Sequence, residues 1–421
     1  MAWVALLLVV AKLASAVKEI LLAQAYGVGP LMDAYQFVFQ LVSWPVSIFF
    51  AISAAALVPA YAGLRQQGAS QLTRFRPQAH GATLALGLLL SGGWLLLCLA
   101  TPLLTSWSGL APAAQFHAAR MALPMAAMIV CGLYTALLAS ECISARHQGS
   151  TLLEAMPAVV LGAMLLATAR PDADTLLAGT VAGALAHTGV LAFYTARRMQ
   201  LPRPALRFDH PEWTPLLAAL GTLLIAQVLQ AATSVVDQFW AARAGDGAVS
   251  VIGYANRILF VGLGIGSVAI SRAILPTLAG LSVDQAAHAR QLAMRWALRL
   301  FGLACLGVLV LWPASSWVVS VLFERGAFGA EETRRVAAFL RFSWLQVPAG
   351  FAGLVLIQQV LAERRYRVLT LLAAVNLAVK LLGNAVLTRW FGVEGLALST
   401  ALMNLATMGM LLVWSRTRRH A

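Results

Sequence analysis

Residues 11–33 read AKLASAVKEILLAQAYGVGPLMD. The segment is apolar enough for a membrane-spanning helix, yet it carries Lys12, Lys18 and Glu19. A charge at bilayer depth costs at least ~2.5 kcal/mol, so an ionisable residue there reads first as part of a pathway or binding site. On a helix, Lys12 and Glu19 share one face, and Lys18 points about 120° away. The lysine stems are long enough to bring both ammonium groups toward one cavity. Snorkelling to a headgroup region is the alternative, and Lys12 sits too near the middle of the span to favour it. The opening helix is read as the first span and not as a cleaved leader.

The rest of the chain repeats this apolar pattern. Of 421 residues, 60% are hydrophobic and 11% charged. Apolar runs of about 20 residues recur from end to end, which predicts an all-α polytopic membrane protein. The alternating segments of about 10 residues that build a membrane β-barrel do not stand out. The net charge is +14, but most basic residues lie in short links between spans, where they set orientation. No basic patch is interleaved with aromatics, so nucleic acid is not expected as a partner. Cys98, Cys131, Cys142 and Cys305 lie in apolar runs without a CxxC, and the histidines have no metal-site spacing. No cofactor or metal is expected.

Twelve spans are predicted, near 2–26, 34–64, 79–107, 116–145, 151–169, 174–197, 213–243, 248–280, 289–323, 332–362, 367–388 and 393–414. One set of links and the tail hold Arg65, Arg74, Arg76, Arg146, Arg197, Arg198, Arg203, Arg207, Arg290, Arg364, Arg365, Arg367, Arg416, Arg418 and Arg419. The opposite set holds Arg170, Arg243, Arg325, Arg334, Arg335 and Arg389. Fifteen against six predicts that both termini are cytoplasmic. The longest polar link, RRMQLPRPALRFDHPE at 197–212, divides the chain. Its prolines oppose helix continuation. The expected organisation is a six-helix bundle at 1–200, a linker at 201–212 and a second six-helix bundle at 213–421.

The two halves resemble each other. Val58-Pro59-Ala60-Tyr61-Ala62-Gly63-Leu64 closes span 2, and Leu275-Pro276-Thr277-Leu278-Ala279-Gly280-Leu281 closes span 8. Glu19 and Asp237 hold comparable places in spans 1 and 7. A repeat with the same span parity is a parallel one, with an axis along the membrane normal, and such bundles usually enclose a cavity.

Three blocks carry a family resemblance. They are KEILLAQAYGVGPLMDAYQFVFQLV with ALVPAYAGL, then SVVDQFWAARAGDGAVSVIGYANRILFVGLGIGSVAISRAILPTLAGL, then VLFERGAFGAEET at 321–333. Together they resemble the MurJ (MviN-type) lipid II flippases of the multidrug/oligosaccharidyl-lipid/polysaccharide exporter superfamily. The resemblance implies two six-helix bundles around a central cavity, and carriage of a lipid-linked sugar across the inner membrane. It further implies that Lys12, Lys18 and Arg257 bind the cargo pyrophosphate, with lysine where the family usually has arginine in span 1. Charge-assisted hydrogen bonds suit such a compact anion. Asp33 falls on a family acidic position. Glu19, Asp33 and Asp237 are the residues assigned to coupling or gating.

The chain departs from the family pattern in three places. Span 2 reads SWPVSIFFAISAAALVP, without the family's charges; Phe260 stands where an acid is usual; and the chain ends after the twelfth span. The expected cargo is therefore a polyprenyl-pyrophosphate saccharide, either lipid II or a precursor of an exopolysaccharide or surface glycan. Membrane lipids, a glycan polymerase and glycosyltransferases are the other expected partners. The rivals are a drug or metabolite exporter of the same superfamily and a degenerate flippase acting as a scaffold. A membrane enzyme would need a concentrated set of His, Asp or Glu, which the short links do not hold.

Other charges within spans have plain readings. Glu141 and Arg120 are expected to pair within span 4, with lining of the cavity mouth as the alternative. Asp237 pairs with a lysine or holds a coupling cation. Arg341 and Lys380 contact a lipid headgroup or a groove, and Arg272 snorkels. Gly262 and Gly266 form a small-xxx-small pair that predicts close helix packing, with helix bending as the alternative.

Overall fold

The computed structural model describes residues 2–99, 108–147, 149–279, 286–363 and 365–417. Outside them lie Arg364, Arg418 and Arg419 of the basic set and Gly280-Leu281 of the internal repeat; the Arg272 side chain is also not described. Among the described residues every regular element is helical. In chain order these are α1 (Ala2–Tyr26), α2 (Pro30–Gln67), α3 (Ala69–Leu99), α4 (Pro112–Met125), α5 (Ala127–Ser144), α6 (Ser150–Ala167) and α7 (Ala173–Met199). There follow α8 (Trp213–Arg243), α9 (Ala248–Ala279), α10 (Ala286–Phe323), α11 (Ala330–Trp344), α12 (Gln346–Ala362), α13 (Tyr366–Phe391) and α14 (Glu394–Thr417).

Among the described residues each of the twelve expected spans overlaps a helix. Among the described residues nine helices are long and apolar enough to cross a membrane. The pair α11–α12, bent by 41° at Leu345, makes a tenth. Span 4 is broken between α4 and α5, where Pro124 has no N–H for the helical ladder. Within α2, residues Ser53–Leu57 form a π turn in which the Val58 N–H reaches back to the Ser53 carbonyl. Pro59 follows directly and cannot donate to residue 55, which accounts for the slipped register.

The chain forms two compact units, Met1–Ala231 and Ala232–Ala421. This boundary lies inside α8, and the linker expected at 201–212 belongs to the first unit. The reason is local hydrogen bonding. Ala205 N–H donates to the Pro77 carbonyl at 2.9 Å, and Trp213 Nε1 donates to Gln78 Oε1 at 2.8 Å. Gln78 also donates to Asp209, and His210 meets Gln71 at 3.2 Å. Beneath the linker, Phe75 packs among Tyr61, His210 and Trp213 at centroid distances of 5.3–5.8 Å. A proline-rich link with an aromatic at its end has been folded down as a strap on α3.

In the second unit the core is built from α10, α12, α13 and α14, around Ala297, Val355, Leu356, Val360, Leu372 and Leu411. Gly266 of α9 lies so close to α12 that a Cβ would come within 2.4 Å of the Phe351 ring. Gly262 has open space where its Cβ would stand, so of the expected pair only Gly266 marks a close approach. The VLFERGAFGAEET block is an ordered turn. Phe323 and Phe328 clasp Tyr254 at 5.3 and 5.4 Å, and the Glu332 carboxylate accepts from the Gly329 N–H at 2.8 Å to cap α11. Outward faces of the long helices carry leucines such as Leu88, Leu89, Leu306 and Leu309, all more than half exposed, as lipid contact requires.

Candidate functional site

The first unit contains a cavity of about 330 Å³ walled by α1, α2, α5, α6 and α7. Small residues let the walls close. A Cβ on Gly132 would meet Val46 at 2.5 Å, and one on Gly183 would meet the Pro157 backbone at 2.9 Å. Hydroxyl pairs tie the helices across the wall: Thr135 to Thr188 at 2.9 Å, and Thr180 to the Tyr35 hydroxyl at 3.2 Å. Lys18, Glu154 and His187 also line this space.

Lys18 Nζ lies 2.6 Å from Glu19 Oε1, and Glu19 is buried. Lys12 is exposed on α1. Asp33 is buried in the first turn of α2, where a helix N-terminus favours negative charge. These four predicted residues lie in the first unit. Arg257, exposed on α9, and Asp237, on α8, lie in the second.

Asp237 sits in a polar knot of its own unit. Its Oδ2 is 2.9 Å from Lys380 Nζ, and its Oδ1 accepts from Asn384 Nδ2 at 2.9 Å. The Lys380 ammonium also donates to the Leu396 carbonyl at 3.1 Å and to the Thr400 hydroxyl. Lys380 is 1% exposed. The expectation that Lys380 contacts a headgroup or groove is therefore corrected: a lysine this deep needs a carboxylate, and Asp237 supplies it.

The expected pair of Arg120 with Glu141 is also corrected. Twenty-one residues of helix place them roughly 30 Å apart at about 1.5 Å per residue. Glu141 instead receives both ends of the Arg76 fork at 3.1 and 2.9 Å and meets His80 Nε2 at 3.0 Å. His80 Nδ1 meets the Tyr134 hydroxyl at 2.9 Å. Arg120 pairs at the surface with Asp174 at 2.7 Å. Arg341 is held by Ser316 at 2.8 Å.

Sequence reading passed over Glu154 and His187. Glu154 lay at the edge of a short span and His187 stood alone in an apolar helix. The available signal was the cost of any ionisable group at that depth.

This helical architecture, with charged side chains at an internal cavity, is that of a multi-pass membrane protein. The likeness to solved structures spans almost the whole chain. A lipid II flippase MurJ in an inward closed conformation superposes with a TM-score of 0.85 at 15% identity, covering 99% of this chain and 88% of that one. An inward-facing multidrug resistance MATE family transporter of the MOP superfamily gives 0.73 at 12% identity, covering 97% and 94%. The sequence profile of the family Lipid II flippase MurJ matches residues 22–421, and the chain belongs to that family. The lipid II flippase MurJ of Burkholderia cenocepacia is 27% identical over 417 residues, 91% of this chain and 76% of that protein. A probable lipid II flippase MurJ of Bdellovibrio bacteriovorus is 30% identical over 277 residues, 62% of this chain and 52% of the relative. A probable lipid II flippase MurJ of Rhizobium tropici is matched over 64% of its length. The chain thus spans about half to two thirds of those two relatives.

Proposed function

We propose that the chain flips a polyprenyl-pyrophosphate-linked saccharide across the bacterial inner membrane by alternating access, with both termini cytoplasmic. Lipid II is the first candidate cargo, because it is what the family's name states. The observation that carries the reading is the presence of Lys12 and Lys18 in α1, with Lys18 lining a cavity where an unneeded charge is costly. Lys12, Lys18 and Arg257 are the residues assigned to the pyrophosphate. Glu19, Asp33 and Asp237 serve gating or coupling. The saccharide chemistry is carried out by others, such as glycosyltransferases and a glycan polymerase; no covalent bond changes during flipping.

A second cargo class is favoured by one feature. The stretch SWPVSIFFAISAAALVP in α2 is uncharged and contains the π turn, so fewer side chains reach for a charged headgroup there. A precursor of an exopolysaccharide or surface glycan, with its different headgroup, suits such a wall.

The test is flipping of a fluorescent polyprenyl-pyrophosphate saccharide in proteoliposomes at matched protein levels. Loss of one charge-assisted hydrogen bond costs about 1.5–3 kcal/mol, or roughly 10- to 100-fold in affinity. The triple variant Lys12→Gln, Lys18→Gln, Arg257→Gln is expected to be inactive. Full activity would sink the clamp and move weight to the exporter or scaffold readings. Lipid II compared with a non-peptide polyprenyl-pyrophosphate sugar separates the two cargo classes.

A further inference from the structure

The strap at 200–212 turns a basic and apolar face outward. Leu206 and Phe208 are 70% and 61% exposed, and Leu201 is exposed as well. Arg203 and Arg207 are exposed, and neither forms a hydrogen bond or an ion pair among the described residues. At the end of α7, Arg197 and Arg198 are also exposed and stack over the Phe193 and Tyr194 rings at 5.1 and 5.8 Å. The acids of the segment are Asp209, which accepts from Gln78 of α3, and Glu212, half-buried before α8. Neither forms an ion pair with these arginines among the described residues.

The level of the strap relative to a bilayer follows from α3. Residues 69–80, ASQLTRFRPQAH, hold two arginines, two glutamines and a histidine, whereas residues 81–99 hold no charged side chain. The Ala205 N–H bonds to the Pro77 carbonyl at 2.9 Å, and Gly81 lies directly beneath the Ala205 backbone. The strap thus crosses α3 where its sequence turns from polar to apolar. The last turn of α7 holds Arg197 and Arg198, and α8 opens on Trp213. Basic residues and aromatics gathered where apolar helices end mark the membrane interface. Because the strap is tied down on α3, Leu206 and Phe208 are held outward at that level.

We propose that the outer face of the strap is a docking surface for anionic phospholipid. Arg203 and Arg207, with Arg197 and Arg198 beside the strap in sequence, hold headgroup phosphates, and Leu206 and Phe208 enter the acyl boundary. Guanidinium groups bind phosphate oxygens by paired, charge-assisted hydrogen bonds. Apolar side chains next to them supply the burial that an interfacial segment needs. A zwitterionic headgroup offers the same phosphate but cancels its charge with an ammonium, so the surface selects anionic lipid. An acidic protein would match the arginines, but it would have to displace lipid from two outward apolar side chains at bilayer level. The surface does not involve Lys12, Lys18 or Arg257, so it is independent of the cargo.

The experiment is native mass spectrometry of the full chain in a neutral detergent, titrated with phosphatidylglycerol or with phosphatidylcholine of matched acyl chains. The parent is expected to bind its first phosphatidylglycerol more tightly than its first phosphatidylcholine. Arg203→Gln with Arg207→Gln is expected to weaken phosphatidylglycerol by about fivefold per arginine and to leave phosphatidylcholine unchanged. Arg203→Lys with Arg207→Lys keeps the charge and is expected to lose less. Leu206→Ser with Phe208→Ser is expected to weaken both lipids together. Arg295→Gln with Arg299→Gln removes two exposed arginines of α10 and is expected to match the parent. The substituted strap side chains are exposed, so these variants are expected to keep the parent's unfolding midpoint. Equal binding of the two lipids by the parent overturns the proposal, and is the result a protein partner in place of lipid would give. Phosphatidylglycerol binding unchanged by Arg203→Gln with Arg207→Gln overturns it as well. So does an equal loss with Arg295→Gln and Arg299→Gln, which would show a response to net charge alone.

Discussion

Lys380 Nζ lies 2.9 Å from Asp237 Oδ2, joining α13 to α8 within the second unit. The ammonium is completed by the Leu396 carbonyl and the Thr400 hydroxyl of α14. A buried pair adds little net stability over apolar residues, but breaking it is costly because one charge is stranded. Lys380→Met alone should destabilise by about 3–5 kcal/mol. Lys380→Met with Asp237→Asn should recover most of that. Thermal unfolding in detergent reads both, and a double variant no better than the single would show that the pair is not the cause.

The Arg76–Glu141–His80 cluster makes a parallel prediction in the first unit. Glu141 is 1% exposed and His80 is fully buried. Glu141→Ala leaves the Arg76 guanidinium unpaired and should cost about 3–5 kcal/mol. Arg76→Lys keeps the charge but loses the two-pronged contact, so an intermediate loss is expected. An unfolding midpoint unchanged by Glu141→Ala would contradict this.

The strap is tested at Gly81. A Cβ there would lie 2.3 Å from the Ala205 carbonyl oxygen, so Gly81→Ala must lift the linker from α3. The expected loss is about 1–3 kcal/mol, with faster proteolysis within 200–212. Proteolysis at the parent rate would mean that the linker is not held by this contact.

Acid should loosen the start of α7. The Asp172 carboxylate accepts from the Thr175 N–H at 2.9 Å and from its hydroxyl at 2.8 Å, and these bonds hold its pKa below the usual range. A depressed folded-state pKa means the stabilisation is present above the unfolded-state value. It is lost as pH falls through the folded-state value. Hydrogen exchange at the Thr175 amide should rise over that acid range in the parent. Asp172→Asn keeps a capping oxygen and should flatten the dependence; an unaltered acid profile would exclude Asp172 as its source.

Orientation is open to a labelling test. In a variant lacking Cys98, Cys131, Cys142 and Cys305, single cysteines replacing Gly29 or Glu331 should react with an impermeant thiol reagent from outside the cell. Cysteines replacing Gln67 or Arg203 should not. The opposite pattern would invert the topology drawn from the arginine bias.

Apolar run length and the positions of proline and glycine determined by themselves that this is a helical membrane protein, with nine helices of membrane-crossing length among the described residues and a bent pair as a tenth. Those signals are local, because a bilayer requires each spanning segment to satisfy its own backbone. The blocks around Glu19, Asp237 and 321–333 likewise carried the family. Which charge meets which was decided only by tertiary structure. Arg120 and Glu141 lie in one apolar stretch, but the break at Pro124 and the length of helix between them send each to another partner. Asp237 and Lys380 stand 143 positions apart in the sequence. Glu154, at the edge of a short helix, reaches the cavity only because α6 packs on α1. Ion pairing in a low-dielectric bundle depends on a few ångströms between side chains of different helices, and no periodicity within one helix records that distance.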